Sequence, residues 1–135
     1  MHTIKFDNES FKKRCNGAYG RAEDVLLPVD ITEASAAVTV RMKKGEKTGK
    51  DAHPDKEQIY VILDGEADLM INSEKRTVNN QTLAFVPRNT QHEIVAVSEK
   101  LVYIYFSVWP GGKPEDISKL DERQGAVTRD AQRSI

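Results

Sequence analysis

Residues 45–65, GEKTGKDAHPDKEQIYVILDG, and residues 81–92, QTLAFVPRNTQH, decide the fold of this chain. Each stretch holds one histidine, His53 or His92, beside a short segment that is rich in β-branched and aromatic residues. Segments of this composition are typical of β-strands. Because strands from distant parts of a chain can pair, we expect the two histidines to meet and to bind one metal ion.

Outside these two stretches, short strands separated by turns continue along the chain. Strand-like composition recurs at residues 25–29, 36–42, 58–63, 67–71, 81–86, 92–97 and 101–108. This spacing predicts an all-β sandwich or barrel rather than βαβ units. Asp64-Gly65 predicts a two-residue hairpin, because a type I′ turn needs positive φ at both central residues. Residues 72–75 and 97–100 are expected to form further turns.

The ends of the chain differ from its middle, although 135 residues suit one domain. We expect residues 1–24 to form an N-terminal arm or edge strand and residues 25–112 to form the barrel. Residues 113–135 are expected to form a short helix or tail, since Pro114 is typical of a helix start.

Composition argues against several classes of function. The chain has 20 Lys and Arg against 21 Asp and Glu, so a broad basic surface for nucleic acid is not expected. The longest apolar run, residues 101–106, is far too short to span a membrane. The single cysteine, Cys15, cannot form a disulfide within the chain, which is typical of the reducing cytoplasm. We expect a cytoplasmic protein whose partner is a small molecule.

Four side chains in the middle of the chain are candidate metal ligands, namely Asp51, His53, Gln58 and His92. In extended backbone residues 51 and 53 point the same way, and Gln58 lies on the following strand on the same face as Tyr60. His92 would join them from another strand. Two imidazoles, one carboxylate and one amide oxygen suit Fe, Mn, Ni or Zn. The sequence therefore predicts a divalent transition-metal site at one mouth of a barrel.

The spacing around these residues resembles that of the small single-domain cupins. The first motif of that family is Gly, five residues, His-x-His, three or four residues, Glu, six residues, Gly. The corresponding positions here are Gly45, Asp51, His53, Gln58 and Gly65, and every spacing is kept. Two of the usual ligands are changed, because Asp51 replaces a histidine and Gln58 replaces the glutamate. The total negative charge offered to a metal stays at one.

The second cupin motif is Gly, five residues, Pro-x-Gly, two residues, His, three residues, Asn. The corresponding positions here are Gln81, Pro87, Asn89, His92 and Ala96. Asn89 tolerates positive φ almost as glycine does. The resemblance covers residues 36–110 and implies a cupin-type double-stranded β-helix, which is a jelly-roll barrel. It also implies a bound divalent metal and a homodimer formed through exposed edge strands.

The identity of the carboxylate ligand is open between Asp51 and Asp55. His53-Pro54-Asp55 together with His92 resembles the His-x-Asp…His triad of 2-oxoglutarate oxygenases. The flanking glycine spacings fit Asp51 instead, and no arginine follows His92 in the strands to bind a 2-oxoglutarate carboxylate. Asp51 is therefore the favoured ligand.

Tyr60 and Arg41 are the candidate catalytic residues. Tyr60 shares the face of Gln58, where it is either a proton donor or part of the barrel wall. Arg41 binds a substrate carboxylate or phosphate if it points inward, and is otherwise a surface residue. The strand at residues 101–108 has a face of Tyr103, Tyr105 and Ser107 and a face of Val102, Ile104, Phe106 and Val108. Alternation does not show which face lines the barrel.

Two classes of function stay open. The cupin resemblance implies a metal-dependent enzyme that isomerises, epimerises, cleaves or dioxygenates a small polar metabolite, carboxylated or derived from a sugar. The alternative is a module that binds a small ligand without turnover, in which the changed residues mark a degenerate metal site. A third hypothesis, also without turnover, is a dimer component whose site is vestigial.

Overall fold

The structure is a computed structural model that describes residues 1–6 and 22–114. The described chain forms eight strands, and the prediction of an all-β fold is confirmed. The strands are β1 (Ala22–Leu27), β2 (Ser35–Lys43), β3 (Glu57–Asp64), β4 (Glu66–Ile71), β5 (Glu74–Asn79), β6 (Leu83–Val86), β7 (His92–Ala96) and β8 (Lys100–Val108), with a 3-10 helix at Val29–Ile31. The expected C-terminal helix lies beyond residue 114, outside the described residues. Within these ranges no helix is long and apolar enough to cross a membrane.

The strands form two antiparallel sheets that enclose one core. The first sheet has the order β1-β2-β8-β3-β6, and the second has the order β5-β4-β7. Isolated bridges from Lys47 to Val95 and from Asp51 to His92 extend the second sheet beside β7. The core cluster combines side chains from both sheets, for example Val40 and Ile62 from the first and Leu69 and Ile94 from the second. The space between the sheets is called the lumen below.

Gly65 is the point where the chain passes from the first sheet to the second. The hairpin predicted at Asp64-Gly65 is wrong, because β3 pairs with β6 and β8 while β4 pairs with β5 and β7. The expected positive φ is present at Gly65, at 96°. A Cβ atom there would overlap the carbonyl oxygen of Lys100 and lie 2.6 Å from Ser98 Oγ. The glycine is thus needed for a close backbone crossing rather than for a hairpin.

The strand that the sequence did not predict is β5. Its sequence, EKRTVN, leaves only Val78 buried, so it lacks the apolar alternation that marks the other strands. Pairing with β4 along its whole length holds it in the sheet. Of the turn predicted at residues 72–75, only Asn72 and Ser73 form a turn, and β5 begins at the next residue.

The face of β8 that carries tyrosines lines the lumen. Tyr103 and Tyr105 belong to the core cluster, and Ser107 is fully buried. The opposite face carries Ile104 and Phe106, which are only half-buried. The sequence did not show which face of β8 lines the barrel. The structure shows that it is the tyrosine face, and the aliphatic face lies on the outside of the first sheet.

Candidate metal centre

His53 and His92 lie together at one mouth of the lumen. His53 lies in the loop between β2 and β3, and His92 is the first residue of β7. Their ring centroids are 5.3 Å apart, with 51° between the ring planes. The backbone N–H of Asn89 donates to the carbonyl oxygen of His53 at 2.7 Å. This hydrogen bond connects the turn before β7 to the His53 loop. Asn89 has a φ of 59°, as expected for this glycine-like position.

The imidazole of His92 is held in one orientation. The side chain is 4% exposed, and its Nδ1 lies 3.0 Å from the carbonyl oxygen of Thr90. Because a carbonyl oxygen can only accept a hydrogen bond, Nδ1 carries the proton and donates it. In the neutral ring Nε2 is then left with a lone pair, which is the arrangement found in many metal-binding histidines.

His53 is held neutral at physiological pH. Its pKa is lowered from 6.5 to about 4, mainly because burial disfavours the cation and secondly because Lys56 is positively charged nearby. Asp51 acts in the opposite direction but does not compensate. Lys56, which the sequence did not single out, is itself only 8% exposed, and its Nζ lies 5.3 Å from the ring centroid of Trp109. A neutral imidazole is the form that binds a metal.

Gln58 and Tyr60 form a hydrogen-bonded pair next to His92. The Tyr60 hydroxyl donates to Gln58 Oε1 at 3.0 Å, and Gln58 Nε2 donates to Ser107 Oγ at 3.3 Å. The Tyr60 ring centroid lies 6.1 Å from that of His92. Both Gln58 and Tyr60 are buried, which confirms that they share the lumen face. An amide oxygen has two lone pairs, so Gln58 Oε1 keeps one for a cation.

Asp51 lies directly beside His92, but its carboxylate is largely exposed to solvent at the rim of the lumen mouth. The two residues exchange backbone hydrogen bonds of 3.1 and 2.9 Å, so their side chains project from the same face of the sheet. The Asp51 side chain is 55% exposed, its Oδ1 accepts from Ala52 N, and its Oδ2 lies 3.7 Å from His53 Nε2. Asp55 is exposed and has the weakest influence among the charges that shift the His53 pKa. This geometry favours Asp51 over Asp55.

Two imidazoles and one amide oxygen are the donors that the described residues offer to a transition metal. No three His, Cys, Asp or Glu side chains in residues 1–6 and 22–114 form a group that could hold a metal ion. His53 and His92 adjoin each other, and the amide oxygen of Gln58 is connected to them through Tyr60, whose ring centroid lies 6.1 Å from that of His92. Since a bound imidazole nitrogen lies about 2.1 Å from the metal, two imidazoles on one ion have centroids roughly 5 Å apart. The observed separation of 5.3 Å agrees with that value.

Residues 38–109 match the cupin domain family, and they make up more than half of the chain. The chain belongs to the cupin family. No curated protein matches its sequence. This cupin is similar in fold to KdgF from Halomonas sp., at 23% identity over 73% of this chain and 84% of that chain, with a TM-score of 0.60. It is also similar to a predicted oxalate decarboxylase from Thermotoga maritima, at 18% identity over 79% and 99% of the two chains, with a TM-score of 0.68.

A third similar structure is a cupin 2 conserved barrel domain protein from Salinispora arenicola. It is 16% identical over 82% of this chain and 90% of that chain, with a TM-score of 0.64. At these identities the likeness extends to the fold alone. The jelly-roll barrel expected for this cupin is therefore confirmed, and its chemistry has to be argued from its own side chains.

Arg41 of this cupin lies outside the lumen. Its neighbours Val40 and Met42 belong to the core cluster, so by strand alternation Arg41 projects from the other face of the first sheet. It is fully buried there, and its guanidinium pairs with Asp24 at 2.7 Å. The substrate contact predicted for Arg41 does not fit this position. Alternation gives the relative directions of neighbouring residues, and the sequence could not show which face was inside.

A cavity of about 370 Å³ opens between β5 and β6, and we call it the β5–β6 cavity. Its apolar walls are Leu69, Ile71, Val78 and Ala84, with the exposed side chains of Leu83 and Phe85 at its outer edge, and its charged groups are Glu74 and Arg76. Ile71 is the register partner of His92, and Ala84 is the register partner of Tyr60. The cavity thus adjoins the candidate metal centre of this cupin from both sheets. Sequence analysis missed Arg76 because it did not predict β5, although alternation with Val78 would have placed both on one face.

Proposed function

We propose that this protein is a metal-dependent enzyme that acts on a small, polar, carboxylated metabolite. The carrying observation is the pair of His53, whose pKa is lowered, and His92, whose ring is held by the Thr90 carbonyl; their rings lie side by side at one mouth of the lumen. Fe, Mn, Ni or Zn suits these ligands, with Gln58 as third donor and Asp51 at the rim. The name of one structural neighbour, a predicted oxalate decarboxylase, supports a small carboxylate as the substrate class.

The side chains of the lumen supply orientation and a proton donor. The metal, when bound, supplies a Lewis acid that polarises a substrate oxygen. The carbonyl oxygen of Thr90 fixes the orientation of the His92 ring through Nδ1. Tyr60 can turn its O–H from Gln58 Oε1 to a substrate oxygen, and Gln58 keeps its second bond to Ser107. The phenol rings of Tyr103 and Tyr105 pack against Tyr60 and keep bulk water from that side.

Metal-dependent turnover tests this proposal. The protein is loaded separately with Fe²⁺, Mn²⁺, Ni²⁺ and Zn²⁺ and incubated with a panel of small hydroxy- and oxo-carboxylates and sugar acids, and each substrate is followed by proton NMR. We expect turnover with at least one metal, loss after chelation, and loss in His92→Ala. His2→Ala is the matched control, because His2 contacts Leu26 O away from the site. Turnover that persists in chelated protein would contradict a metal-dependent reaction.

One observation favours a second candidate, a module that binds a small ligand without turnover. Both ends of the Gln58 amide are satisfied by Tyr60 and Ser107, and Asp51 bonds to its own loop. These polar groups therefore have protein partners without a metal. A carboxylate that raises the melting temperature of chelated protein, and is recovered unchanged from metal-loaded protein, supports this candidate over the enzyme.

We also propose that the protein is a homodimer. On the outer face of the first sheet, the register aligns Phe106, Ile59 and Phe85 in one row and Ile104, Val61 and Leu83 in the next. Leu83 is 65% exposed and Phe85 is 47% exposed. Two rows of large apolar side chains without a charge between them are self-complementary, so a second copy related by a two-fold axis can cover them.

A further inference from the structure

We infer that the β5–β6 cavity binds the carboxylate group of the substrate and that Arg76 is the cation that anchors it. The inference rests on the proposed function, because it assigns the position of one group of that same substrate. It replaces Arg41, which lies on the wrong face of the first sheet, as the source of the carboxylate-binding guanidinium.

The register of the second sheet places Arg76 on the same face as His92. Ile71 pairs with His92 on one side and with Glu74 on the other, so these three residues form one row across the sheet. Leu69 pairs with Arg76 in the next row of the same face. Strands are about 4.8 Å apart and residues rise about 3.4 Å, so the Cα atoms of His92 and Arg76 are roughly 12 Å apart.

The other cation of β5 faces the opposite way. Lys75 Nζ lies 3.6 Å from Asp68 Oδ2, and Thr77 Oγ1 donates to Asp68 Oδ1 at 2.8 Å, so both lie on the outer face of the second sheet. Among the described residues that line the cavity, Arg76 is the single cation. A carboxylate in the cavity therefore has one guanidinium to bind.

Arg76 is free to exchange its present partner. It pairs with Glu74, and the two side chains are 71% and 66% exposed. Exposed ion pairs of this kind are weak in water. A guanidinium has five N–H donors, so Arg76 can bind an incoming carboxylate through two parallel hydrogen bonds. Glu74 competes with that carboxylate for the same group, which gives a prediction of opposite sign for the two residues.

The apolar walls of the β5–β6 cavity determine which chemical groups fit in the middle part of the ligand. Leu69, Ile71, Val78 and Ala84 offer no charge between Arg76 and the histidines. A span of roughly 12 Å between the Cα atoms of His92 and Arg76 leaves room for a short molecule between the two side chains. The cavity suits a short carboxylate that is bound at Arg76 and lies against these apolar walls, with its other end directed toward Ile71 and its register partner His92.

Binding of dicarboxylates to metal-free protein tests the inference without activity. Chelated, dialysed protein is titrated with oxalate, succinate and glutarate at constant ionic strength, and affinity is measured by calorimetry and by NMR shifts. We expect wild type to bind succinate or glutarate, Arg76→Met to weaken that binding at least tenfold, and Glu74→Gln to strengthen it about two- to threefold. Lys75→Met, matched in strand, charge and exposure but facing outward, should leave it unchanged.

Three results would overturn the inference: no binding of any of the three probes to wild type, unchanged binding in Arg76→Met, or equal weakening in Lys75→Met. Melting curves confirm that each variant is folded. Elemental analysis of the wild type separates this inference from the proposed function, because metal content and metal-free succinate affinity are measured independently on the same protein. If the protein binds no metal but Arg76→Met still weakens succinate binding, the β5–β6 cavity is a carboxylate-binding site in a protein that is not a metalloenzyme.

Discussion

His53 and His92 lie 39 positions apart in the sequence, yet the carbonyl oxygen of His53 accepts a hydrogen bond from the turn that immediately precedes His92, and the two ring centroids are 5.3 Å apart. The backbone thus brings the two cupin motifs together before any metal is considered. The His92 ring is oriented by the Thr90 carbonyl oxygen, and burial lowers the pKa of His53 and keeps that ring neutral at physiological pH.

Replacing Gly65 by alanine should destabilise the protein far more than replacing Gly45. Both glycines have positive φ, at 96° and 87°, but a Cβ at Gly65 would overlap the Lys100 carbonyl, whereas nothing lies within 4 Å of one at Gly45. We expect Gly45→Ala to cost about 1 kcal/mol and Gly65→Ala at least about 2 kcal/mol more. Urea denaturation measures both, and equal losses would show that the crossing is not tight.

The pKa of His53 makes stability fall in acid. Its folded-state pKa of about 4 is below the unfolded value of 6.5, so the unfolded state binds more protons between these values. The free energy of unfolding should decrease as pH falls from about 6.5 to about 4, by on the order of 1–3 kcal/mol from this group. Above pH 6.5 the contribution disappears, because His53 is neutral in both states.

Four neighbours act on this titration. Lys56 and His92 lower the pKa of His53, whereas Asp51 and Asp55 raise it. Lys56→Met should therefore raise the pKa and reduce the acid sensitivity, and Asp51→Asn should do the reverse. NMR titration of the His53 ring in metal-free protein measures both shifts. A His53 that titrates near 6.5 in wild type would contradict the burial argument.

Restoring the carboxylate of the family motif should strengthen metal binding. Gln58→Glu keeps the size of the side chain and the acceptor for the Tyr60 hydroxyl, and adds a negative charge beside the two imidazoles. We expect at least a tenfold gain in affinity for Zn²⁺ or Mn²⁺, measured by competition with a chelator. Gln81→Glu adds the same charge at an exposed residue of another turn and serves as the control. An unchanged affinity in Gln58→Glu would mean that residue 58 is not a ligand.

Sedimentation should show a dimer that depends on the outer face of the first sheet. Phe85→Glu places a charge in the apolar rows, and we expect at least a tenfold weaker self-association at micromolar concentration. Thr77→Glu places the same charge on the outer face of the second sheet and should have no effect. A monomeric wild type would contradict the homodimer proposal.

The cupin motifs could be recognised from the sequence, but the direction in which individual side chains point could not. Spacing around His53 and His92 was sufficient to predict the barrel, because ligand positions and turns depend on residue counts. The directions of the Arg41 side chain and of the β8 tyrosines were ambiguous. Strand alternation shows which residues share a face, but not which of the two faces is covered by the other sheet. The strand β5 was missed because it is held by pairing rather than by burial, and Arg76 was missed with it.

The metal content of the protein tests the central claim most directly. Protein purified without added metal, and then exposed to one equivalent of each candidate ion, is analysed by elemental mass spectrometry beside His92→Ala and His2→Ala. We predict about one transition-metal ion per chain in wild type and in His2→Ala, and less than about one tenth of that in His92→Ala. A metal-free wild type whose melting temperature does not change with any of the four ions would contradict the metal centre.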